Sequence, residues 1–236
     1  MTKLSLLALA IATACTTSQS KDIATEGMYS SNTINADGAG FTTVTTVLRV
    51  GGALSNDFVE LSPGDTLTAS AGALSEPMTP GTFLDAAAYQ AMLSTNTGGT
   101  VVTIAYARAA PQISASDTTA TLPEEFSITS QTSGTDSYSR ASSPIAITWS
   151  GSGQTDPLSY EVVGSCIATA SGPISPDNGS FTIPAGTVQA LSGSATQTCS
   201  IQIQLFRSRQ GNLDAAFGNG DVTASQVRAA NALSAP

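Results

Sequence analysis

The stretch CSIQIQLFR, residues 199–207, decides the class of fold. Cys199, Ile201, Ile203 and Leu205 alternate with Ser200, Gln202, Gln204 and Phe206. Successive side chains of a strand point to opposite faces, so this period of two predicts a strand with one buried and one wet face. SPIAITWS, residues 143–150, repeats the pattern, with Ile145, Ile147 and Trp149 set against Ala146 and Thr148. Elsewhere helical periodicity is scarce. Short runs rich in Val, Ile, Thr and aromatics stand between Gly, Pro, Asn, Asp and Ser. The chain therefore reads as all-β.

Working outward, strands are expected at Phe41–Val50, Asp57–Leu61, Thr66–Ala69 and Thr100–Arg108, with a Pro63-Gly64 turn before the third. TNTGG, residues 95–99, reads as a hairpin turn leading into TVVTIAYAR. The segment before it, TFLDAAAYQAMLS (82–94), has two readings. Thr82 and Asp85 suit a capped helix, whereas the alternation of Tyr89, Ala91 and Leu93 suits a strand from about Ala88, which is favoured. The polar, proline-bounded passage 109–126 marks a division near 110, and further strands are expected at Phe126–Thr129, Ile145–Ser150, Leu158–Cys166, Ser180–Ile183 and Cys199–Phe206. The expectation is two consecutive β-sandwich (immunoglobulin-like) domains, 33–110 and 111–236, the second with a disulfide and a C-terminal hairpin.

The amino terminus indicates a compartment. Leu4–Ala14 is apolar except for Ser5 and Thr13 and follows the single charge of Lys3. A membrane-spanning helix needs about 20 residues, so this run fits a signal peptide over 1–14. Ala12-Thr13-Ala14-Cys15 resembles the bacterial lipobox, although Ala12 stands where leucine is usual. The resemblance implies that Cys15 is lipidated and becomes the mature terminus; plain secretion with a chance cysteine is the alternative. Residues 15–32 are polar and small and read as a flexible tether. Thr16, in place of an aspartate, resembles the outer-membrane sorting pattern of Gram-negative lipoproteins.

Composition excludes several chemistries. Lys plus Arg is 8 and Asp plus Glu is 17, a net charge of −9 that repels phosphate backbones and argues against nucleic-acid partners. There is no histidine, which removes Ser-His-Asp catalysis, the commonest general base and most zinc sites. With Cys15 acylated, Cys166 and Cys199 remain. In an oxidising compartment they are expected to pair, adding roughly 3–4 kcal/mol on the chain-entropy model.

Trp149, Pro157, Tyr160 and Val162, within PIAITWSGSGQTDPLSYEVVGSC, resemble the core positions of a fibronectin type III or related immunoglobulin-like sandwich. The resemblance implies a spacer or binding module, and the cysteine pair departs from it. More broadly, Gly64–Ala69, Ile147–Trp149, Gly164–Cys166, Phe181–Gly186 and Gly211–Gly218 resemble segments of a group of uncharacterised bacterial lipoproteins, which implies an envelope location. RQGNLDAAFGNGDVTA, 209–224, looks like a single β-propeller unit and is treated as a turn device. Its Asp214, Asn219 and Asp221, with Asn212, are candidate oxygen ligands for Ca²⁺, or else loop-capping side chains.

Glu124 and Glu125 are adjacent, so on a strand they point apart and cannot form a glycosidase pair together. Arg207 and Arg209 share one strand face, placed to meet carboxylates across the sheet or to be solvated at its edge. The expected function is a non-enzymatic, lipid-anchored envelope protein with a structural or adhesive role toward a protein or glycan partner. The alternatives are a calcium- or small-ligand-binding module and a carboxylate-dependent hydrolase.

Overall fold

A computed structural model describes residues 16–83, 86–131 and 133–236. The expected signal peptide, 1–14, and Cys15 and Asp85 lie outside the described residues. In chain order the strands are β1 (Thr16–Gln19), β2 (Met28–Ala36), β3 (Thr42–Val50), β4 (Asp57–Glu60), β5 (Thr66–Ala71), β6 (Leu74–Pro77), β7 (Thr79–Phe83), β8 (Ala86–Leu93), β9 (Val101–Ala107) and β10 (Ala115–Thr121). They continue with β11 (Ser127–Ile128), β12 (Ser137–Ser139), β13 (Ile145–Ser150), β14 (Leu158–Gly164), β15 (Ala170–Ile174), β16 (Ser180–Ile183), β17 (Cys199–Gln210) and β18 (Asn219–Ala235). The fold is all-β, and among the described residues no helix is long and apolar enough to cross a membrane.

One large sheet, ordered β1-β4-β3-β2-β18-β17-β14-β15 with β8 also on β3, backs both halves of the molecule. The four-stranded sheet β10-β9-β5-β6 packs on its first half and the three-stranded sheet β11-β13-β16 on its second. Each pairing encloses its own core. In the first, Ile34, Val44, Leu48 and Leu93 meet Leu67, Val102, Ile104 and Leu122. In the second, Ile145, Ile147, Trp149 and Ile183 meet Leu158, Val162, Ile201, Ile203 and Leu205. Three strands facing β15-β14-β17-β18 is a sandwich arrangement of the immunoglobulin-like kind. The 17-residue β18 runs through both sandwiches. Its first half, Asn219–Gln226, pairs in parallel with β2, and Thr223–Ser234 pair antiparallel with β17.

The strands with clear alternation form where expected, and β13 and β16 match to the residue. Four expectations need correction. Residues 15–32 are not a flexible tether where described: β1 pairs with β4 in register Thr16↔Asp57, and Ser20 and Thr25 are buried. Polar bonds order this segment alongside the burial of Met28, since Arg108 donates to Ser20 O, Ile23 O and Thr25 Oγ1. Second, the first core passes the 110/111 division, because β10 pairs with β9 and carries Ala120 and Leu122 into that core. The change of core falls between Leu122 and Phe126.

Third, residues 86–93 are indeed a strand, but β8 and β9 form no hairpin. β8 pairs with β3 and β7, and β9 with β5 and β10. The TNTGG stretch crosses from sheet to sheet, held by Gly99 N–H on Leu122 O and Gln226 Nε2 on Asn96 O. Fourth, the turn device is shorter than 209–224, since β17 continues to Gln210 and β18 begins at Asn219.

Candidate functional site

Cys166 and Cys199 are joined, with Cα atoms 5.9 Å apart and a sequence separation of 33. Cys199 opens β17 and Cys166 follows β14, its hydrogen-bonded neighbour, so the bridge closes one end of the second sandwich. Arg140 reinforces that end, donating to Ser234 Oγ at 3.0 Å and to the carbonyls of Ala195 and Gln197.

The three residues singled out for Ca²⁺ face different partners. Asp214 accepts from Asp117 N–H at 2.7 Å and Ala216 N–H at 2.8 Å. Asn219 Oδ1 accepts from Gly220 N–H. Asp221 accepts from Tyr29 Oη at 2.6 Å and Ser31 Oγ at 3.1 Å, and the Tyr29 bond, with burial, raises the tyrosine pKa. Among the described residues no cluster of three or more Asp, Glu, Cys or His side chains forms a metal set.

Arginine is the organising residue of the polar interior. Arg207, fully buried at the inward register of β17, donates to Glu124 O, Gly151 O and Asp177 Oδ2, the last two at 2.8 Å. Asp177 also accepts from Trp149 Nε1 at 2.8 Å. Arg228 on β18 donates to Phe126 O at 2.8 Å and Ala36 O at 3.2 Å, and both guanidiniums lie about the Phe126 ring, at 4.9 and 5.3 Å from its centroid. Burial lowers the Arg228 pKa, countered by Glu125 and Asp37. Buried Gln226 donates to Asn96 O and Pro123 O and accepts from Arg228. This cluster binds the crossover 123–126 to both sandwiches. No period in the sequence marks Gln226 or Arg228 as interior.

In the first sandwich Arg108 plays the same part toward Asp65. Asp65 accepts from Ser20 Oγ at 2.7 Å, Ala109 N–H at 2.8 Å and Arg108 Nε at 3.4 Å. Burial alone would raise its pKa; the bonds from Ala109, Ser20 and Arg108 outweigh that and hold it below the ordinary value. Tyr106, desolvated beside this cluster, is pushed up to about 12.

Next to Asp65 the first sandwich is open. A cleft of about 680 Å³ is lined by Leu61, Leu67, Met78, Ala88 and Tyr89, with Glu60 and Asp65 at its polar side. It forms where the chain leaves β6 in one sheet for β7 in the other, through Pro77-Met78, with Met78 N–H bonded to Leu67 O. Two prolines and Gly81 line this passage and leave it unfilled. Tyr89 Oη accepts from Leu61 N–H at 2.8 Å, and burial raises its pKa. Glu60 accepts from Gln19 Nε2 at 3.0 Å. The cleft is an apolar surface whose nearby carboxylates are already engaged. Sequence reading missed it because Met78 and Pro80 fall in no regular period.

No protein-family model matches the chain, and no curated relative aligns with it. A solved structure, CBD12 from CALX1.2, aligns over 84% of this chain and 98% of its own length at 12% identity, with a TM-score of 0.22. So loose a likeness carries no argument about ligand or activity.

Proposed function

We propose that the chain is a non-enzymatic binding protein of a bacterial cell envelope, held to the membrane by lipid on Cys15, whose first sandwich receives an apolar group of its partner in the cleft at Tyr89. The observation that carries this reading is the engagement of the polar side chains. All six arginines donate to acceptors within the protein. At the cleft, Asp65 is held ionised by an ion pair and further bonds, and Glu60 is bonded to Gln19. A general acid needs a proton to give near neutral pH, and a nucleophile needs an activating base. A mostly apolar concavity with few polar groups is instead the usual form of a recognition site. The acidic chain and its committed arginines favour a neutral or cationic partner over an anionic one.

The test uses protein recovered from the membrane fraction of its native host. Its intact mass is expected to equal residues 15–236 plus acyl chains, two hydrogens light until reduced. The cleft is tested with Nile red. Pro80 lines the cleft and pairs directly with Tyr89, so its side chain shares that face and Pro80→Trp sets an indole across the opening. Dye fluorescence is expected to fall to background in Pro80→Trp with cooperative melting retained. An unacylated mass overturns the anchor, and equal dye binding by both proteins overturns the cleft.

A further inference from the structure

We infer that the protein stands on the bilayer on the turn between β3 and β4, inserting Leu54 at the lipid interface, with the second sandwich directed away from the membrane. The inference rests on lipidation of Cys15. Thr16, the next residue, is already fixed in the fold: its N–H bonds to Asn56 O at 3.1 Å, and β1 runs parallel to β4 from Thr16↔Asp57. A lipid on Cys15 is therefore joined directly to the first residue of the sheet, with no linker between. The turn that receives Thr16 is Gly51–Asn56, and it carries Leu54, 96% exposed, the most exposed large hydrophobic side chain among the described residues. A lone exposed leucine is ordinary on a soluble surface; one beside an acyl anchor is positioned to enter the lipid with it.

Sheet register sets the direction. Met28 pairs with Val50, so the β3–β4 turn lies at the Met28 end of β2. β18 runs parallel to β2 from Asn219↔Tyr29 to Gln226↔Ala36 and only then enters the second sandwich. Thr16 and Leu54 thus mark the end opposite Cys199 and Ser234, which pair at the far end of β18. Seventeen residues at about 3.3 Å each give a reach of about 55 Å along β18. The surface presented outward is the disulfide-closed end, with Leu191 and its loop clasped by Arg140.

The experiment reconstitutes the full, host-processed protein in phosphatidylethanolamine–phosphatidylcholine vesicles, after intact mass has read its acylation. Leu54→Cys and Ser192→Cys, both at exposed positions, are labelled with an environment-sensitive dye. The label at 54 is expected to shift to the blue and be quenched by iodide about threefold less than the label at 192. Acylated protein with equal quenching at the two positions, or with both shielded, overturns the orientation while leaving the anchor standing. Shielding at 54 that persists without vesicles means a protein contact and also overturns it. Protein without acyl chains removes the anchor and the orientation together.

Discussion

The first sandwich intersperses the branched side chains of its core with Ala36, Ala69, Ala71, Ala91, Ala115, Ala120 and Ala224 and with Met28 and Met78, whereas the second relies on Ile145, Ile147, Ile183, Ile201 and Ile203 around Trp149. Their polar interiors differ too. In the first, buried Asn32 donates to Ser30 Oγ at 2.9 Å and accepts from Thr46 Oγ1 at 2.8 Å, and Arg108 gathers the carbonyls of the amino-terminal segment. In the second, branched apolar side chains and a covalent bridge dominate. Small side chains and directional bonds leave room, and the open cleft is in the first sandwich. Branched side chains interlock, and the concavities beside the second core, of about 480 and 370 Å³, are smaller. One sandwich is thereby suited to receive a partner and the other to hold a rigid shape.

The comparison is broken most severely where the two sandwiches meet. Arg207→Ala would leave Asp177 buried without its cation and the carbonyls of Glu124 and Gly151 without a donor. Breaking a buried pair by removing one partner costs about 3–5 kcal/mol, so a large loss of urea stability is expected. Arg209→Ala is the control. Its bond to Asp156 is 2.8 Å, yet the guanidinium is 38% exposed, so a loss of about 0.5 kcal/mol is expected. Equal losses in the two variants would mean that Arg207 is not the residue holding the junction.

The next effect separates the sandwiches. Reducing Cys166–Cys199, or replacing both cysteines by serine, releases a loop spanning 33 residues and should cost about 3 kcal/mol. Hydrogen exchange should then rise in β14 and β17 and stay low in β5 and β9, which belong to the other core. Uniform acceleration across both would show that the shared strand β18 makes them one cooperative unit.

The same contrast explains what could be read in the sequence. β13 and the start of β17 announce themselves because their inward residues are Ile, Trp and Leu. β2 also alternates, but its inward residues are Met28, Ser30, Asn32, Ile34 and Ala36, so the buried face reads as polar. β18 hides for the same reason, with Ala224, Gln226, Ala232 and Ser234 inside. The candidate cleft was less legible still. It arises from the crossing of Pro77-Met78 between sheets and from the gap at Gly81, and only the assembled topology reveals either. The disulfide was legible because counting cysteines requires no register.

The smallest effect tests whether polar bonds hold the first sandwich. Asp65 has its pKa lowered from 3.8 in the fold, so the unfolded chain binds that proton more tightly than the folded one. Its contribution is therefore complete above 3.8 and is lost as pH falls through the lower, folded value. Asp65→Asn removes the charge while keeping an acceptor, at a cost of about 2 kcal/mol near neutrality. The variant should also flatten the acid limb of the first sandwich's stability, read as the melting of Tyr106 and Tyr89 by near-ultraviolet dichroism. Trp149 reports the second sandwich in the same scan, and its acid dependence should be unchanged, since Asp177 keeps Arg207 in the variant. An unchanged acid limb in Asp65→Asn would assign the acid sensitivity of the first sandwich to other carboxylates. The amino-terminal segment would then be held by Arg108 and its carbonyls alone.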